Sequence, residues 1–419
     1  MLLSKETTIK LNNAYSNIIG HMCYAAYKLW NICNYERIHY REMGLEKYPD
    51  WFYQKAAHKE NMWYKSLHSQ TAQEVCKQLD KGWKSFYKLQ KTKGIKNPHP
   101  PYFKKAGMAV TYMQKAIVHE QGEDRVRLSL AKNLKRYMSE KYDIHEEYLY
   151  LKNKFFQDMD IIKQIKIYPP EKDGTSRIIA IYETANVEMY PENGHCLSID
   201  LGLHNLVTCY DNEGKSFILG RKYLEITRKY DKEISRVQSQ WARIQVKKGV
   251  KYPKPSRQVK HLYAKKRNCV KDYLHKVTLY IARYCEENEI HTVVIGDLKG
   301  IRKDKDMGNK NNQKLHGLPY EQIFRKLKYK LEMRGITIIK QKEAYSSQCS
   351  PTSKDVSKKS AQKGNRKCRG LYVEKSGQIY NADAVGAYNI MRKNNAVTGR
   401  KIEMPISGLK QIDVIKVAV

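Results

Sequence analysis

The sequence lacks long apolar runs and regularly spaced cysteine pairs. No stretch approaches the about 18 consecutive apolar residues that a membrane-spanning helix requires, so no transmembrane segment is expected. The nine cysteines do not have the even spacing of a disulfide-rich secreted domain. Because the chain also has no signal-peptide pattern, we expect reduced thiols and a location in a bacterial cytoplasm.

Acidic residues are scarce relative to basic ones. The chain has 43 Asp and Glu against 78 Lys and Arg, and its formal net charge is +35. Such an excess destabilises a compact protein by self-repulsion unless a polyanion offsets it. Since the cations are spread along the whole chain, we expect several domains to contact an extended nucleic acid, as in a nucleoid-associated protein. No basic amphipathic helix stands out, so no membrane partner is expected.

The 419 residues suffice for about two to four domains, and their patterns change along the chain. A weak strand pattern at 5–11 precedes a helical region, which the prolines of "NPHPPYFKK" (97–105) end. Strand-like runs follow between 110 and 190. Strands on both sides of a helical insertion predict a barrel-like domain interrupted by a helical one.

From residue 195 onward the pattern is different. "HCLSIDLGLHNLVTCYDNEGKSFIL" (195–219) predicts an antiparallel meander of three strands. Two long helices follow, separated by "YPKPS" (252–256), and are expected to pack as a hairpin. The apolar residues of the first recur at near-heptad spacing: Ile226, Tyr230, Ile234, Val237, Trp241 and Ile244. A strand, a helix, a strand and a last helix complete the order of a ribonuclease-H-like domain, whose first strand is central and whose later strands run parallel to it.

Two aspartates lie where such a fold gathers acids. Asp200 ends an apolar strand, where an unpaired carboxylate is costly, so a divalent cation and a strand-capping role explain it equally well. Asp383 opens a helix rich in small residues. An acid in a first turn is ordinary helix chemistry, but small residues would let this helix lie close to the sheet and bring Asp383 near Asp200.

Three segments in order resemble the nuclease motifs of TnpB proteins, which are transposon-encoded relatives of the miniature type V CRISPR effectors and of Fanzor proteins. They are "IDLGLHNLVT" (199–208), "VVIGDLKGIR" (293–302) and "NADAVGAYNI" (381–390). The helical "QTAQEVCKQLDKGWKSFYKL" followed by "PPYFKK" is similar to the TnpB recognition lobe and its return to the wedge domain. The resemblance covers almost the whole chain and implies an RNA-guided DNA endonuclease, with guide RNA and double-stranded target DNA as partners.

The resemblance also implies an α+β multidomain fold. A ribonuclease-H-like (RuvC) α/β nuclease domain would accompany a β-barrel wedge domain with an inserted helical recognition domain. The expected segments are a wedge strand (1–12), the recognition domain (13–96), the wedge barrel (97–192), the RuvC-like domain (193–344, with a helical hairpin at 224–287), a target-nucleic-acid-binding insertion or degenerate zinc ribbon (345–380), the final RuvC helix (381–396) and a tail (397–419).

Gly296 departs from the family pattern, because most TnpB proteins have a metal-binding glutamate at this position. Side chains alternate along a strand, so Asp297 would point away from the face that position 296 presents. Glu343, just past the next strand, would enter the space left by the glycine, as in a subset of TnpB and Fanzor proteins with a relocated glutamate. We therefore predict Asp200, Glu343 and Asp383 as catalytic metal ligands, with Asp297 as the fallback; the competing interpretation of Glu343 is a solvated loop acid.

The expected cofactor is a pair of Mg²⁺ ions about 4 Å apart, or Mn²⁺ in their place, which would activate water and stabilise the leaving oxygen. The zinc ribbon typical of the family has two CxxC pairs. In this sequence Cys349 is followed by Thr352, and Cys368 by Leu371, at the matching positions. Two thiolates do not complete a tetrahedral site, so no structural zinc is expected.

Aromatic, basic and hydroxyl side chains in four segments are the predicted nucleic-acid contacts. Cations mostly position the phosphate backbone without reading bases, and aromatic rings stack on bases. For the aromatic pair, packing in a core is the equal alternative. The predicted contacts are Tyr102, Phe103, Lys104, Lys105, Lys299, Arg302, Lys303, Ser346, Ser347, Gln348, Lys367 and Arg369.

Two other functions are compatible with the sequence. Gly296 favours an RNA-guided DNA-binding repressor without nuclease activity, because nuclease loss in this family begins with such substitutions. Acids at 200, 343 and 383 argue against it. A strand-transfer transposase is less favoured, since the helical lobe resembles a guide-binding domain. The sequence leaves both a monomer and a homodimer open.

Overall fold

The computed structural model describes residues 1–92, 95, 97–298, 317–368, 370–400 and 402–418. The chain forms two compact units, Met1–Asn186 and Val187–Val419. Helices and strands are mixed in both units, so the predicted α+β multidomain class is confirmed. No described helix combines the length and the hydropathy needed to cross a lipid bilayer.

Three helices of the first unit begin after polar residues that cap their free amides. The side chains of Asn12, Asp50 and Asn61 each accept a hydrogen bond from a backbone amide in the first turn of the following helix. The helices are α1 (Asn13–Ile38), α2 (Trp51–Ala57), α3 (Met62–Lys65), α4 (Ser69–Thr92) and α5 (Lys132–Tyr142). Helices α1 and α4 enclose a buried ion pair in which Arg37 Nη1 lies 3.0 Å from Asp80 Oδ1.

The strands of the first unit form two antiparallel sheets, with the orders β1-β7-β6-β2 and β3-β4-β5. Their bounds are β1 (Leu2–Lys10), β2 (Val110–Met113), β3 (Ile117–Val118), β4 (Arg125–Ser129), β5 (Tyr148–Lys152), β6 (Ile161–Ile167) and β7 (Thr175–Glu183). Strand β1 pairs with β7 along its whole length. Helices α1 to α4 therefore interrupt one sheet, as the strand-like runs on both sides of them predicted.

Helix α5 lies within the stretch that the sequence patterns assigned to strands. Its only buried side chains are Leu134 and Met138, one turn apart on a single face. The helix ends at Asp143, whose φ of 53° is left-handed. The sequence analysis missed this helix because two apolar residues among charged ones give little periodic signal.

The strands of the second unit form a main sheet of order β12-β11-β8-β9-β10-β16 and a smaller sheet of order β13-β14-β15. Their bounds are β8 (Cys196–Asp200), β9 (Val207–Asp211), β10 (Ser216–Leu219), β11 (Thr292–Asp297), β12 (Thr337–Lys342), β13 (Arg366–Cys368), β14 (Leu371–Val373), β15 (Ile379–Asn381) and β16 (Asp413–Val414). Strands β8 to β10 form the predicted antiparallel meander. Strand β8 lies in the interior of the sheet, and β11 and β12 run parallel to it as predicted.

The described helices of the second unit pack on this sheet or on one another. They are α6 (Lys222–Lys247), α7 (Arg257–Glu287), α8 (Tyr320–Glu332) and α9 (Ala382–Thr398). Helix α9 lies against β8, β9, β11 and β12, and its small residues Ala384, Gly386 and Ala387 are buried there. This close approach brings the start of α9 to the edge at which β8 ends.

Helices α6 and α7 pack as the predicted hairpin, but the apolar seam is shorter than predicted. Ile226, Ile234 and Val237 are buried, whereas Trp241 and Ile244 are 38% and 45% exposed. The far end of α6 is held instead by a polar contact to the connecting segment, since the indole of the tryptophan donates to the Lys254 carbonyl at 3.0 Å.

Candidate active site

Asp200 is the last residue of β8, in the interior of the main sheet. Gly386 of α9 faces its carboxylate. A β-carbon on Gly386 would lie 2.6 Å from Asp200 Oδ2 and 3.2 Å from its Cγ, closer than side chains pack. The glycine therefore provides the space that the Asp200 carboxylate occupies.

Glu343 directly follows β12, and its side chain turns back toward Gly296. Gly296 pairs with Gln341 in the parallel register of β11 and β12. A β-carbon on Gly296 would overlap Glu343 Oε2 and would lie 3.1 Å from Ile390 Cδ1 of α9. Glu343 Oε2 is buried and has no hydrogen-bond partner among the described atoms. A solvated loop acid does not fit this burial.

Asp297, the fallback candidate, is the next residue of β11 and pairs with Lys342. Its charge helps to raise the pKa of Glu343, after the larger effects of burial and of Asp200. Asp297 thus lies at the same edge of the sheet. The space next to Gly296, however, is filled by Glu343.

Asp383 lies in the first turn of α9, and the side-chain oxygen of Asn381 accepts a hydrogen bond from its amide. Both of its carboxylate oxygens have partners. Asn205 Nδ2 donates to Oδ2 at 2.7 Å, and Arg366 Nη2 lies 3.0 Å from Oδ1. In this arrangement the guanidinium of Arg366 offsets the negative charge of Asp383.

Burial and mutual repulsion keep two of the acids from ionising readily. Burial, together with the charge of Asp200, raises the pKa of Glu343 to about 8. Burial also raises the pKa of Asp200 to about 7, with Asp383 adding to the shift and Arg366 opposing it. Near neutral pH these carboxyls hold protons that a bound cation would displace.

The donors at this edge suit a hard divalent cation, because Mg²⁺ and Mn²⁺ prefer carboxylate oxygens. Glu343 contributes a buried acceptor without a partner, and Asp200 interacts electrostatically with both other acids. Within the described ranges, no three His, Cys, Asp or Glu side chains are close enough to share one ion. Asp200, Glu343 and Asp383 are the residues that would hold metal, and Asp383 would exchange a present partner such as Arg366 for it.

The raised pKa values predict how the stability of the metal-free protein depends on pH. Folded Asp200 and Glu343 keep protons that the unfolded chain has released above about pH 4 to 5. The free energy of unfolding should therefore fall as the pH rises from about 5.5 to 8. Denaturant titrations in EDTA should show a steeper fall for the wild type than for the double variant Asp200→Asn/Glu343→Gln, and Mg²⁺ should lessen the wild-type fall. Equal slopes for the two proteins would contradict the burial of these acids.

Gly386→Ala is predicted to impair catalysis without unfolding the protein. The new methyl group would displace the Asp200 carboxylate, and we expect DNA cleavage to fall at least about tenfold, the effect of roughly 1.4 kcal/mol on the barrier. The matched control is Gly20→Ala in α1, where a β-carbon meets nothing within 4 Å. That control should cleave normally, and measured cleavage equal in both variants would show that the close approach at Gly386 is dispensable.

The predicted contacts of the first unit lie on an exposed segment whose backbone is fixed. The rings of Tyr102 and Phe103 are 71% and 46% exposed, so packing in a core does not describe them. The indole of Trp30 donates to the Tyr102 carbonyl at 3.1 Å. Asn31 bonds both the amide and the carbonyl of Lys104, at 2.7 and 2.9 Å. The segment therefore presents two rings and adjacent lysines in a defined position.

The predicted contacts of the second unit are described in part. Lys367 is exposed on β13. Ser346 is buried, and its carbonyl accepts a hydrogen bond from Asn389 Nδ2 at 2.8 Å, while Ser347 and Gln348 are half-buried. The remaining predicted contacts lie outside the described residues: Lys299, Arg302, Lys303 and Arg369.

The segment at the position of the zinc ribbon is held by hydrogen bonds. The buried Cys349 thiol donates to the Ser357 carbonyl at 3.4 Å, whereas Cys368 is exposed. Thr352, which stands where the family has cysteine, donates through its hydroxyl to Glu374 Oε1 at 2.5 Å. A neutral hydroxyl and a carboxylate thus interact at a position where a thiolate would bind metal.

Neither Asn205 nor Arg366 is among the site residues that were predicted from the sequence. Both contact Asp383, although Asn205 precedes it by 178 positions. The available signal for Asn205 was its place within the first motif, five residues after Asp200. Its amide is oriented in turn by Arg221, whose Nε donates to Asn205 Oδ1 at 2.9 Å.

Comparison with known families places this site in two matched segments. Residues 180–302 match the OrfB_IS605 family, described as "Probable transposase", and residues 320–390 match the Cas12f1-like TNB domain. The first segment contains Asp200 and Gly296, and the second contains Glu343 and Asp383. These two segments are therefore similar to OrfB-type proteins and to the TNB domain, respectively. The resemblance to TnpB proteins, predicted from the three motifs, is confirmed.

A solved structure of Cas12f1 shares the fold, while comparison with curated proteins gives no match. A structure of the Cas12f1–sgRNA–target DNA complex has a TM-score of 0.54 and 14% identity, over 90% of this chain and 83% of that chain. CasPhi-2 bound to crRNA has a TM-score of 0.41 and 10% identity, over 96% and 99%. The mini-RNA-guided endonuclease Cas_phi3 has a TM-score of 0.39 and 13% identity, over 67% and 58%.

Proposed function

We propose that this protein is an RNA-guided DNA endonuclease that hydrolyses phosphodiester bonds with Mg²⁺ at one RuvC-like site. The observation that carries the proposal is the buried Glu343 carboxylate, which fills the space next to Gly296. It supports a full set of three acids although the usual position carries glycine. The central β8 with β11 and β12 parallel to it supports a ribonuclease-H-like domain.

Asp200, Glu343 and Asp383 would hold the divalent cations, which when bound supply an activated water and offset charge on the leaving oxygen. The low polarity around Glu343 strengthens its attraction for cations. Asn205 fixes the orientation of Asp383 through the hydrogen bond to Oδ2. Arg366, once released from Asp383, is placed to donate to phosphate oxygens at the same edge, since a guanidinium pairs well with phosphate.

Guide RNA and target DNA are the proposed partners. The net charge of +35 supports extensive phosphate contact, and the exposed Tyr102 and Phe103 rings are suited to stacking on bases. In this division of labour base pairing reads the target sequence, and the protein reads a short adjacent motif. The structure of Cas12f1, which shares the fold, was determined with sgRNA and target DNA.

Plasmid cleavage by the protein purified with its co-expressed RNA tests the proposal. We expect a discrete RNA species with a fixed 3′ boundary, and cleavage only of plasmids that match this RNA and only with Mg²⁺ or Mn²⁺. Purification without a defined RNA, or cleavage that ignores the RNA sequence, would contradict RNA guiding.

The second candidate is an RNA-guided repressor without nuclease activity, and Gly296 is the observation that favours it. Such a protein would slow the migration of the matching plasmid in a gel-shift assay, and it would leave the plasmid uncut in Mg²⁺ and in Mn²⁺. The burial of Glu343 Oε2 argues against it, because a buried carboxyl without a hydrogen-bond partner and without a role in metal binding would impose a desolvation cost with no compensating contact.

A further inference from the structure

A basic cavity lies beside Asp383 in the second unit. Its volume is about 610 Å³, within the range of roughly 300–1,000 Å³ typical of ligand sites. The loop after β8 and the start of α6 form its walls. The lining residues that matter here are Asn205, Arg221, Glu225, Arg228, Lys229 and Lys232.

The cations of this cavity come from one face of a helix. Glu225 follows Arg221, the residue before α6, by four positions, and Arg228, Lys229 and Lys232 follow Glu225 by three, four and seven positions, so their side chains project together from the start of α6. All five are exposed. Four cations and a single carboxylate leave an excess of positive charge, which is complementary to a phosphate backbone.

The cavity is joined to the candidate active site through one side chain. Asn205 lines the cavity, accepts a hydrogen bond from Arg221 Nε at 2.9 Å and donates to Asp383 Oδ2 at 2.7 Å. The side-chain amide of Asn205 would therefore be the only group between a phosphate bound near it in the cavity and Asp383, a proposed metal ligand. A strand whose phosphate is cut at the acids must continue to one side or the other, and this cavity is a basic surface that adjoins them.

We propose that the cavity binds the sugar–phosphate backbone of the DNA strand being cut, next to the scissile phosphate. The proposal rests on the proposed nuclease function. It assigns Arg228, Lys229 and Lys232 to phosphates of that strand. It assigns Arg221 a double role, in which it contacts the strand and orients Asn205 toward Asp383. A guide RNA would not need this link to an acid of the reaction, which is why the cut DNA strand is the favoured ligand.

The test measures single-strand binding by the complex of full-length protein and guide RNA. The probe is a fluorescein-labelled oligothymidylate of about 12 nucleotides, titrated in EDTA at several NaCl concentrations so that no cleavage occurs. One variant is Arg228→Ala/Lys229→Ala/Lys232→Ala. The matched control, Arg243→Ala/Lys247→Ala/Lys248→Ala, removes three exposed cations near the other end of α6. Cleavage of a matching plasmid in Mg²⁺ is measured for all three proteins.

The cavity variant should lower the slope of log K against log salt by about 2, because each lost phosphate contact on a single strand removes roughly 0.7. It should also weaken binding at low salt about tenfold or more. The slope of the control variant should differ from that of the wild type by less than roughly 0.7, the value of one phosphate contact. Equal slopes for both variants, with cleavage by the wild type intact, would overturn the cavity assignment and leave the nuclease proposal standing. Failure of the wild type to cleave would overturn the nuclease proposal instead. Loss of guide RNA from the cavity variant would identify an RNA site and refute the assignment.

Discussion

Glu343→Gln is expected to reduce target cleavage on the order of 10³-fold, because a lost metal ligand removes several kcal/mol of stabilisation from the transition state. Glutamine keeps the size of the side chain and removes its charge. Since Oε2 of the carboxylate is buried without a hydrogen-bond partner among the described atoms, the same change should raise the unfolding temperature of the metal-free protein near pH 8. A gain in stability combined with a loss of cleavage distinguishes a metal ligand from a residue that only supports the fold.

Asp297→Asn is the matched control for this experiment, because it removes one carboxylate from the same edge of the sheet. Its cleavage rate should stay within about tenfold of the wild type, equivalent to less than about 1.4 kcal/mol on the barrier. Guide RNA and target binding should be unchanged in both variants, as measured by filter binding. If Asp297→Asn abolishes cleavage and Glu343→Gln does not, Asp297 is the second catalytic acid and the assignment of Glu343 is wrong.

Gly296→Ala is expected to have the next largest effect, a loss of cleavage of about 100-fold or more. Its methyl group would overlap Glu343 Oε2 and lie 3.1 Å from Ile390 Cδ1, so the carboxylate must leave its present position. A displaced metal ligand accounts for a loss of this size, which corresponds to roughly 2.7 kcal/mol. Because Oε2 ends a flexible side chain, the cost to folding should be modest, about 1–3 kcal/mol for crowding the isoleucine.

An exchange of positions tests whether the carboxylate or the backbone at 296 matters. The double variant Gly296→Glu/Glu343→Gly places the acid on β11, where most TnpB proteins have it, and clears the space that Glu343 filled. We expect cleavage by the double variant to exceed that of Gly296→Ala by about tenfold or more, measured on the same plasmid. Gly296→Glu alone should be inactive, because two carboxylates would compete for one space. No recovery in the double variant would argue that the two positions are not equivalent.

Local patterns were sufficient for much of the main sheet. The meander of β8 to β10 follows from apolar runs separated by turn residues. The register of β11 and β12, which brings Gly296 opposite Gln341, two residues before Glu343, was seen only in the structure. The short helix α5 was missed because its buried face consists of only Leu134 and Met138. The predicted apolar seam of α6 was too long, because the heptad spacing continues in the sequence to Trp241 and Ile244, which are exposed in the structure.

At the candidate site, the sequence identified the acids and their order in the chain, but it did not predict which residues contact them. The excess of cations, the three motifs and the alternation of strand side chains already point to a polyanion partner and to Asp200, Glu343 and Asp383, with Asp297 as the fallback. The fold adds the direction of the Glu343 side chain beyond its strand end and its position in the space next to Gly296. The contacts of Asp383 with Asn205 and Arg366 also required the fold, because they join residues from separate segments. Short-range patterns follow from backbone periodicity, whereas the charges that surround a carboxylate are set by which distant segments pack together.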